Sequence, residues 1–191
     1  MKRSALLILS VFALAIGIRA QGLAIGGTME NFSLTDTTGK NQTLDGLKGD
    51  KGAVVIFLSA QCPVVKAYNQ RINEIAAEYR TKGINFIGIN SNATESADWV
   101  KSHTAENYKF PVLIDKSNIL ADKLGASVTP EAYFVDAGRA LVYHGAIDND
   151  KSAANITEPY LKNAFNLFMA GQNVVKTTAR AFGCGIKRIT D

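Results

Sequence analysis

Ala53-Val54-Val55-Ile56-Phe57-Leu58-Ser59-Ala60-Gln61-Cys62-Pro63-Val64-Val65-Lys66 is the stretch that decides the fold of this chain. Its first six residues are continuously apolar and rich in β-branched side chains. A run of strand length that is apolar on both faces predicts a central strand covered on both sides. Cys62-Pro63 then opens a helical pattern, in which Val65, Tyr68, Ile72, Ile75, Ala76 and Tyr79 recur at three- and four-residue spacing. Pro63 suits the first helical turn, where a missing N–H costs nothing, and Gly83 closes the helix. Cys62 therefore falls where a buried strand ends and a helix begins. Unpaired N–H groups and a partial positive charge at that point favour a thiolate over a thiol. Lys66 follows one turn on along the same face, and Ser59 precedes Cys62 by three residues, so both are candidate helpers of the sulfur. The competing reading is an inert cysteine half-buried at a strand end.

The rest of the chain repeats this alternation. Ile84 to Ile89 reads as a second buried strand, followed by a Ser/Asn loop and a helix from about Thr94 to Asn107. Pro111 to Ile114 predicts a short strand and Lys116 to Leu124 a short helix ending at Gly125. Glu131 to Asp136 and Arg139 to His144 predict two strands joined by a tight turn. Glu158 to Gly171 carries Leu161, Ala164, Phe165 and Phe168 at helical spacing and predicts a closing helix. Upstream, Asn31 to Thr35 alternates weakly and suggests an edge hairpin. Alternating strands and helices imply parallel pairing through right-handed crossovers, and the late strand–turn–strand adds antiparallel pairing. The expected fold class is α/β, a central mixed sheet flanked by helices, with an N-terminal hairpin. Trp99, Phe165 and Phe168 read as core aromatics.

The first twenty residues stand apart. Met1-Lys2-Arg3 gives a positive head, Ala5 to Ile18 is an apolar run of about 14 residues, and Arg19-Ala20-Gln21 offers a cut after Ala20. Residues 1–20 are expected to be a secretory signal peptide and residues 21–191 one domain, working in the periplasm, in the cell envelope or as a secreted protein. The formal charge of the chain is +4, of which Lys2, Arg3 and Arg19 supply three, leaving +1. No basic run remains to suggest a nucleic acid or an anionic lipid as partner, and no stable membrane insertion is expected after cleavage. Asn31, Asn41, Asn92 and Asn155 lie in Asn-x-Ser/Thr triplets, glycosylation acceptors only in a eukaryotic secretory pathway. His103 and His144 have no close Cys/His pair to nucleate a zinc site, so no metal is implied. Val128-Thr129-Pro130 opens the strand that follows it, and Pro130 is a candidate cis-proline facing the Cys62 loop.

Three motifs in order carry a resemblance. Ser59-Ala60-Gln61-Cys62-Pro63-Val64-Val65-Lys66, Thr129-Pro130-Glu131-Ala132-Tyr133-Phe134-Val135-Asp136 and Gly183-Cys184-Gly185-Ile186-Lys187 resemble the redoxins, thioredoxin-like proteins grouped with the alkyl hydroperoxide reductase / thiol-specific antioxidant family. The similarity runs over roughly residues 25–190 and is greatest to the peroxiredoxin-like branch with a Cys-Pro-x-Val-Lys site and a C-terminal Gly-Cys-x-Ile-Lys; Tyr143-His144-Gly145-Ala146-Ile147-Asp148 also fits it. The resemblance implies a thioredoxin-like fold, thiol redox chemistry at Cys62, and a site of Cys62, Ser59, Lys66, Thr129, Pro130 and Cys184. Two departures stand out. Val65 occupies the place of the second cysteine of a local dithiol, and the peroxiredoxin proline and arginine positions hold Val55 and Pro130.

Under this resemblance the chain is expected to be an exported thiol-dependent oxidoreductase without an organic cofactor. Cys62 attacks a peroxide or a protein disulfide, and a thiol electron donor restores it. Cys184, 122 positions later between two glycines in an end expected to be mobile, is the candidate resolving thiol. Reversible pairing of the two cysteines, a permanent staple and no contact all remain open at this level. A redox-inert module that binds a partner through the same face is the second class of function.

Overall fold

The computed structural model describes residues 22–152 and 154–189. The expected leader over residues 1–20 and its cleavage lie outside the described residues. In chain order the elements are β1 (Ser33–Asp36), β2 (Asn41–Thr43), α1 (Leu44–Leu47), β3 (Gly52–Leu58), α2 (Pro63–Arg80), β4 (Ile84–Asn90), α3 (Ala97–Asn107), β5 (Val112–Ile114) and α4 (Ile119–Leu124). There follow β6 (Val128–Thr129), β7 (Glu131–Asp136), β8 (Leu141–Gly145), α5 (Tyr160–Met169), β9 (Thr178–Ala179) and β10 (Cys184–Gly185). The main sheet runs β2-β1-β5-β4-β3-β7-β8-β9, and β10 pairs with β6 in a separate two-stranded sheet.

The run at residues 53–58 is the central strand its sequence predicts. β3 pairs in parallel with β4 on one side and antiparallel with β7 on the other. Side chains alternate across a pleated strand, and both of its faces are covered. Val54, Ile56 and Leu58 join a cluster with Val65, Tyr68 and Ile72 of α2 and Leu161 and Phe165 of α5. Ala53, Val55 and Phe57 join a second cluster with Leu44 of α1 and Leu120 and Leu124 of α4. Each fully buried Val, Ile or Phe here contributes about 2 kcal/mol of transfer free energy, so β3 is anchored to the core from both faces. The predicted hairpin is β1–β2 at one edge, with β1 also antiparallel to β5. No helix among the described residues is long and apolar enough to cross a membrane.

Several boundaries and one core assignment differ from expectation; α4 starts at Ile119 rather than Lys116, after Asn118 at φ 57°. α3 starts at Ala97, because Ser96 caps it by accepting the Trp99 N–H, and residues 91–95 form a loop instead. β8 starts at Leu141, because the turn continues through Arg139, at φ 71°, while the Asp136 carboxylate accepts the Ala140 N–H. α5 starts at Tyr160, after Pro159. Trp99 is 44% exposed rather than a core residue. α3 buries only Val100 along its length, so its apolar stripe is too narrow to hold the indole.

Candidate active site

Cys62 is the residue before the first turn of α2, in extended conformation, with Pro63 at the first helical position and no side-chain capping bond. It is fully buried among the residues that join β3 to α2. Cys184 lies on β10, half-buried, opposite Thr129 of β6 in antiparallel register. The two cysteines form a disulfide with Cα atoms 5.8 Å apart. Of the three open readings, the absence of contact is thereby excluded. The Thr129–Pro130 peptide is cis, Pro130 is buried, and the Cys62 sulfur lies 3.4 Å from the Thr129 carbonyl oxygen. Cys62, Cys184, Thr129 and Pro130, distant in sequence, thus meet at one point.

The segment around Cys184 is built rather than mobile, which corrects the expectation of a loose end. Phe182 packs on Tyr68 of α2, with ring centroids 6.2 Å apart, and Ile186 is buried in the second core cluster. The Ile186 N–H donates to the Ser127 carbonyl at 3.0 Å. Of the two flanking glycines, only Gly183 is needed for close approach. It sits at φ +152°, and a Cβ there would fall 1.9 Å from the Thr129 carbonyl oxygen, whereas one on Gly185 would meet nothing nearer than 4.0 Å.

The two expected helpers behave differently from their sequence reading. The Ser59 hydroxyl donates to the Glu95 carboxylate at 2.5 Å and is committed there instead of to sulfur. Lys66 is exposed on α2, and among the described residues its ammonium makes no hydrogen bond or ion pair. It borders a groove of about 730 Å³ between α2 and α3, together with Ala60, Trp99 and His103. Burial holds the His103 imidazole below its ordinary pKa.

Three acidic residues to which the sequence alone assigns no role organise the site. Glu95, almost fully buried, accepts the Ala60 and Gln61 N–H groups at 2.9 and 3.2 Å as well as the Ser59 hydroxyl, and Asn90 donates to it at 2.6 Å. The carboxylate thereby satisfies the backbone donors of the turn that leads into Cys62, which would otherwise be buried and unpaired. Glu131, directly after Pro130, accepts the Ser127 and Val128 N–H groups and pairs with His144 at 2.6 Å. Burial opposes ionisation of Glu131, but the bonds from His144 and the two N–H groups outweigh it and hold the carboxyl below its ordinary value. Asp148 receives the Tyr68 hydroxyl at 2.7 Å and the Arg71 guanidinium, fixing the inner face of α2. Burial and the adjacent Asp148 both push the Tyr68 phenol up. A topological signal for Glu95 was available: it follows β4 as Cys62 follows β3, and β3 and β4 are adjacent parallel strands whose C-terminal ends share one crevice.

The chain is similar to known proteins in sequence and in fold. Thiol-disulfide oxidoreductase ResA of Bacillus thuringiensis (strain Al Hakam) is 31% identical over 115 residues, a match covering 60% of this chain and 65%, less than two thirds, of that relative. A hypothetical protein of Sinorhizobium meliloti 1021 superposes with a TM-score of 0.81 at 29% identity, covering 90% of this chain and 98% of the other. Peroxidoxin BcpB of Mycobacterium tuberculosis superposes with a TM-score of 0.61 at 18% identity, covering 81% and 99%, a likeness of fold alone. The AhpC/TSA family model matches residues 25–144, and the chain belongs to that family.

Proposed function

We propose that this protein is an exported thiol–disulfide oxidoreductase that exchanges disulfides with polypeptide substrates, Cys62 attacking and Cys184 resolving. The observation that carries the reading is the disulfide joining Cys62, at the start of α2, to Cys184 across 122 residues and beside Pro130. The Cys62 thiolate attacks a sulfur of the substrate disulfide, forming a mixed disulfide and releasing one substrate thiolate. The Cys184 thiolate then attacks the Cys62 sulfur, forming the internal disulfide and releasing the second substrate thiolate. The substrate gains two electrons, and an external dithiol returns two to the Cys62–Cys184 pair.

Peroxide reduction is the second reading, favoured by the family match. In that reaction Cys62 takes one peroxide oxygen as sulfenic acid, releasing the alcohol or water, and Cys184 expels that oxygen as water. Two features weigh against it. Peroxide cleavage is assisted by a hydroxyl and a cation at the reacting oxygen, but Ser59 donates to Glu95, and the position that the resemblance gives to arginine holds Pro130.

The test is to mix reduced protein with stoichiometric hydrogen peroxide or with a disulfide-linked peptide and follow internal disulfide formation by mass spectrometry. Faster oxidation by the peptide is expected. Faster oxidation by peroxide selects the second reading, and no oxidation by either selects the redox-inert binding module.

A further inference from the structure

The loop from Asn90 to Glu95 touches both cysteine-bearing segments at once. Toward Cys62, the Glu95 carboxylate accepts Ser59 Oγ and the Ala60 and Gln61 N–H groups, and Thr94 Oγ1 accepts the Gln61 side-chain amide at 2.9 Å. Toward Cys184, Asn92 Oδ1 accepts the Lys187 N–H and the Lys187 carbonyl accepts the Ala93 N–H, both at 2.9 Å. Asn92 is 3% exposed, so this side chain belongs to the interior and is no glycosylation acceptor. Among the described residues its Nδ2 has no hydrogen-bond partner, so the bond from Lys187 is what its amide contributes to the cysteine segments. The loop itself is tethered from below. The Asn118 amide donates to the Ser91 carbonyl and accepts the Ile189 N–H, and Lys116 Nζ reaches the Ala93 and Glu95 carbonyls.

We infer that the Asn90–Glu95 loop is a positioning bracket that sets the effective concentration of Cys184 at Cys62, with Glu95 fixing the attacking side and Asn92 the resolving side. Neither residue touches the reacting sulfurs. The inference rests on the exchange chemistry proposed above and adds which residues tune it. Among the described residues, backbone bonds hold residues 184–187 to β6, to Ser127 and to Ala93, and the Thr129 hydroxyl donates to the Cys184 carbonyl at 3.5 Å. The two bonds at Lys187 therefore form a large share of what keeps Cys184 in register when the disulfide is open. Weakening them disfavours the bridged form more than the reduced form, because only the bridged form requires Cys184 at one place.

The equilibrium with glutathione reads this directly. Two glutathione thiols and the internal disulfide exchange with one glutathione disulfide and the two free cysteines. Asn92→Ala is expected to lower the equilibrium constant for bridge formation about fivefold, the worth of one hydrogen bond. Thr94→Ala, at an exposed position on the Cys62 side of the loop, is expected to slow attack by Cys62 about twofold and to leave the equilibrium unchanged. Glu95→Gln, which turns an acceptor oxygen into a donor facing N–H groups, is expected to slow attack by Cys62 about tenfold and to lower the thermal midpoint of the reduced and oxidised forms alike. Asn41→Ala, which removes one exposed hydrogen bond in the hairpin, serves as the control with unchanged equilibrium. If Asn92→Ala lowers the thermal midpoint yet leaves the glutathione equilibrium at the wild-type value, the bracket is overturned while the exchange reading stands. If the wild-type pair does not exchange with glutathione at all, both fall.

Discussion

The segments that carry Cys62 and Cys184 meet in one bond but are built in opposite ways. Cys62 follows β3, which is bonded to strands on both sides and buried on both faces, and it leads into the 18 residues of α2. Cys184 sits on a strand of two residues near the end of the chain, held by β6, by Phe182 and Ile186 and by the Asn92 bracket. The first sulfur is fixed by the core of the molecule and the second by contacts at its margin. Opening the disulfide therefore leaves the attacking group in place and frees only its partner. A permanent staple needs no such asymmetry.

The largest effect that sharpens the contrast is on turnover. Cys62→Ser is expected to reduce disulfide exchange to the uncatalysed background, measured with any reducible peptide substrate. Reduction of the wild-type disulfide comes next. Releasing a closed loop of 122 residues is expected to cost about 5 kcal/mol in the chain-entropy account, read from denaturant unfolding of the oxidised and reduced forms. The reduced form is nevertheless expected to unfold cooperatively, because both core clusters are formed without the bond.

Core substitutions then separate the two sides. Ile56→Ala, in the centre of β3, is expected to destabilise both redox forms equally, by about 4 kcal/mol, and to leave the glutathione equilibrium unchanged. Ile186→Ala is expected to cost less, about 2 kcal/mol, and to weaken the disulfide because Ile186 holds the β10 segment. Equal effects of the two on the glutathione equilibrium would break the contrast.

The smallest effect is on pH dependence. Glu131 secures residues 127–128 and with them the strand against which β10 pairs. Its carboxyl is held below the ordinary 4.5, so its contribution is complete above that value and is lost as pH falls through the lower folded value. Unfolding measured between pH 6 and 3 is expected to show a steeper loss in the wild type than in Glu131→Gln. An identical slope would remove Glu131 from the account.

Much of this was readable from residues alone, and the exceptions have a common cause. The order of elements, β3 as the central strand and the junction at Cys62 all follow from periodicity and from Pro63. Those signals are local. Proximity in sequence points Ser59 at the sulfur, while its actual partner, Glu95, lies 36 positions away. Cys184 looked loose because glycines flank it, yet Phe182 and Ile186 anchor it through contacts that no local pattern encodes. Trp99 looked like core because it is large and apolar, but α3 offers too narrow a buried face to hold it.

The most direct test of the central claim, that Cys62 attacks and Cys184 resolves, is to trap the first covalent intermediate. Reduced Cys184→Ser and Cys62→Ser proteins are each mixed with oxidised glutathione, quenched with acid, and mapped by peptide mass spectrometry. The account predicts rapid formation of a mixed disulfide at Cys62 in the Cys184→Ser protein and only slow background modification of Cys184 in the other. A mixed disulfide that forms readily at Cys184 while Cys62 stays unmodified would contradict it.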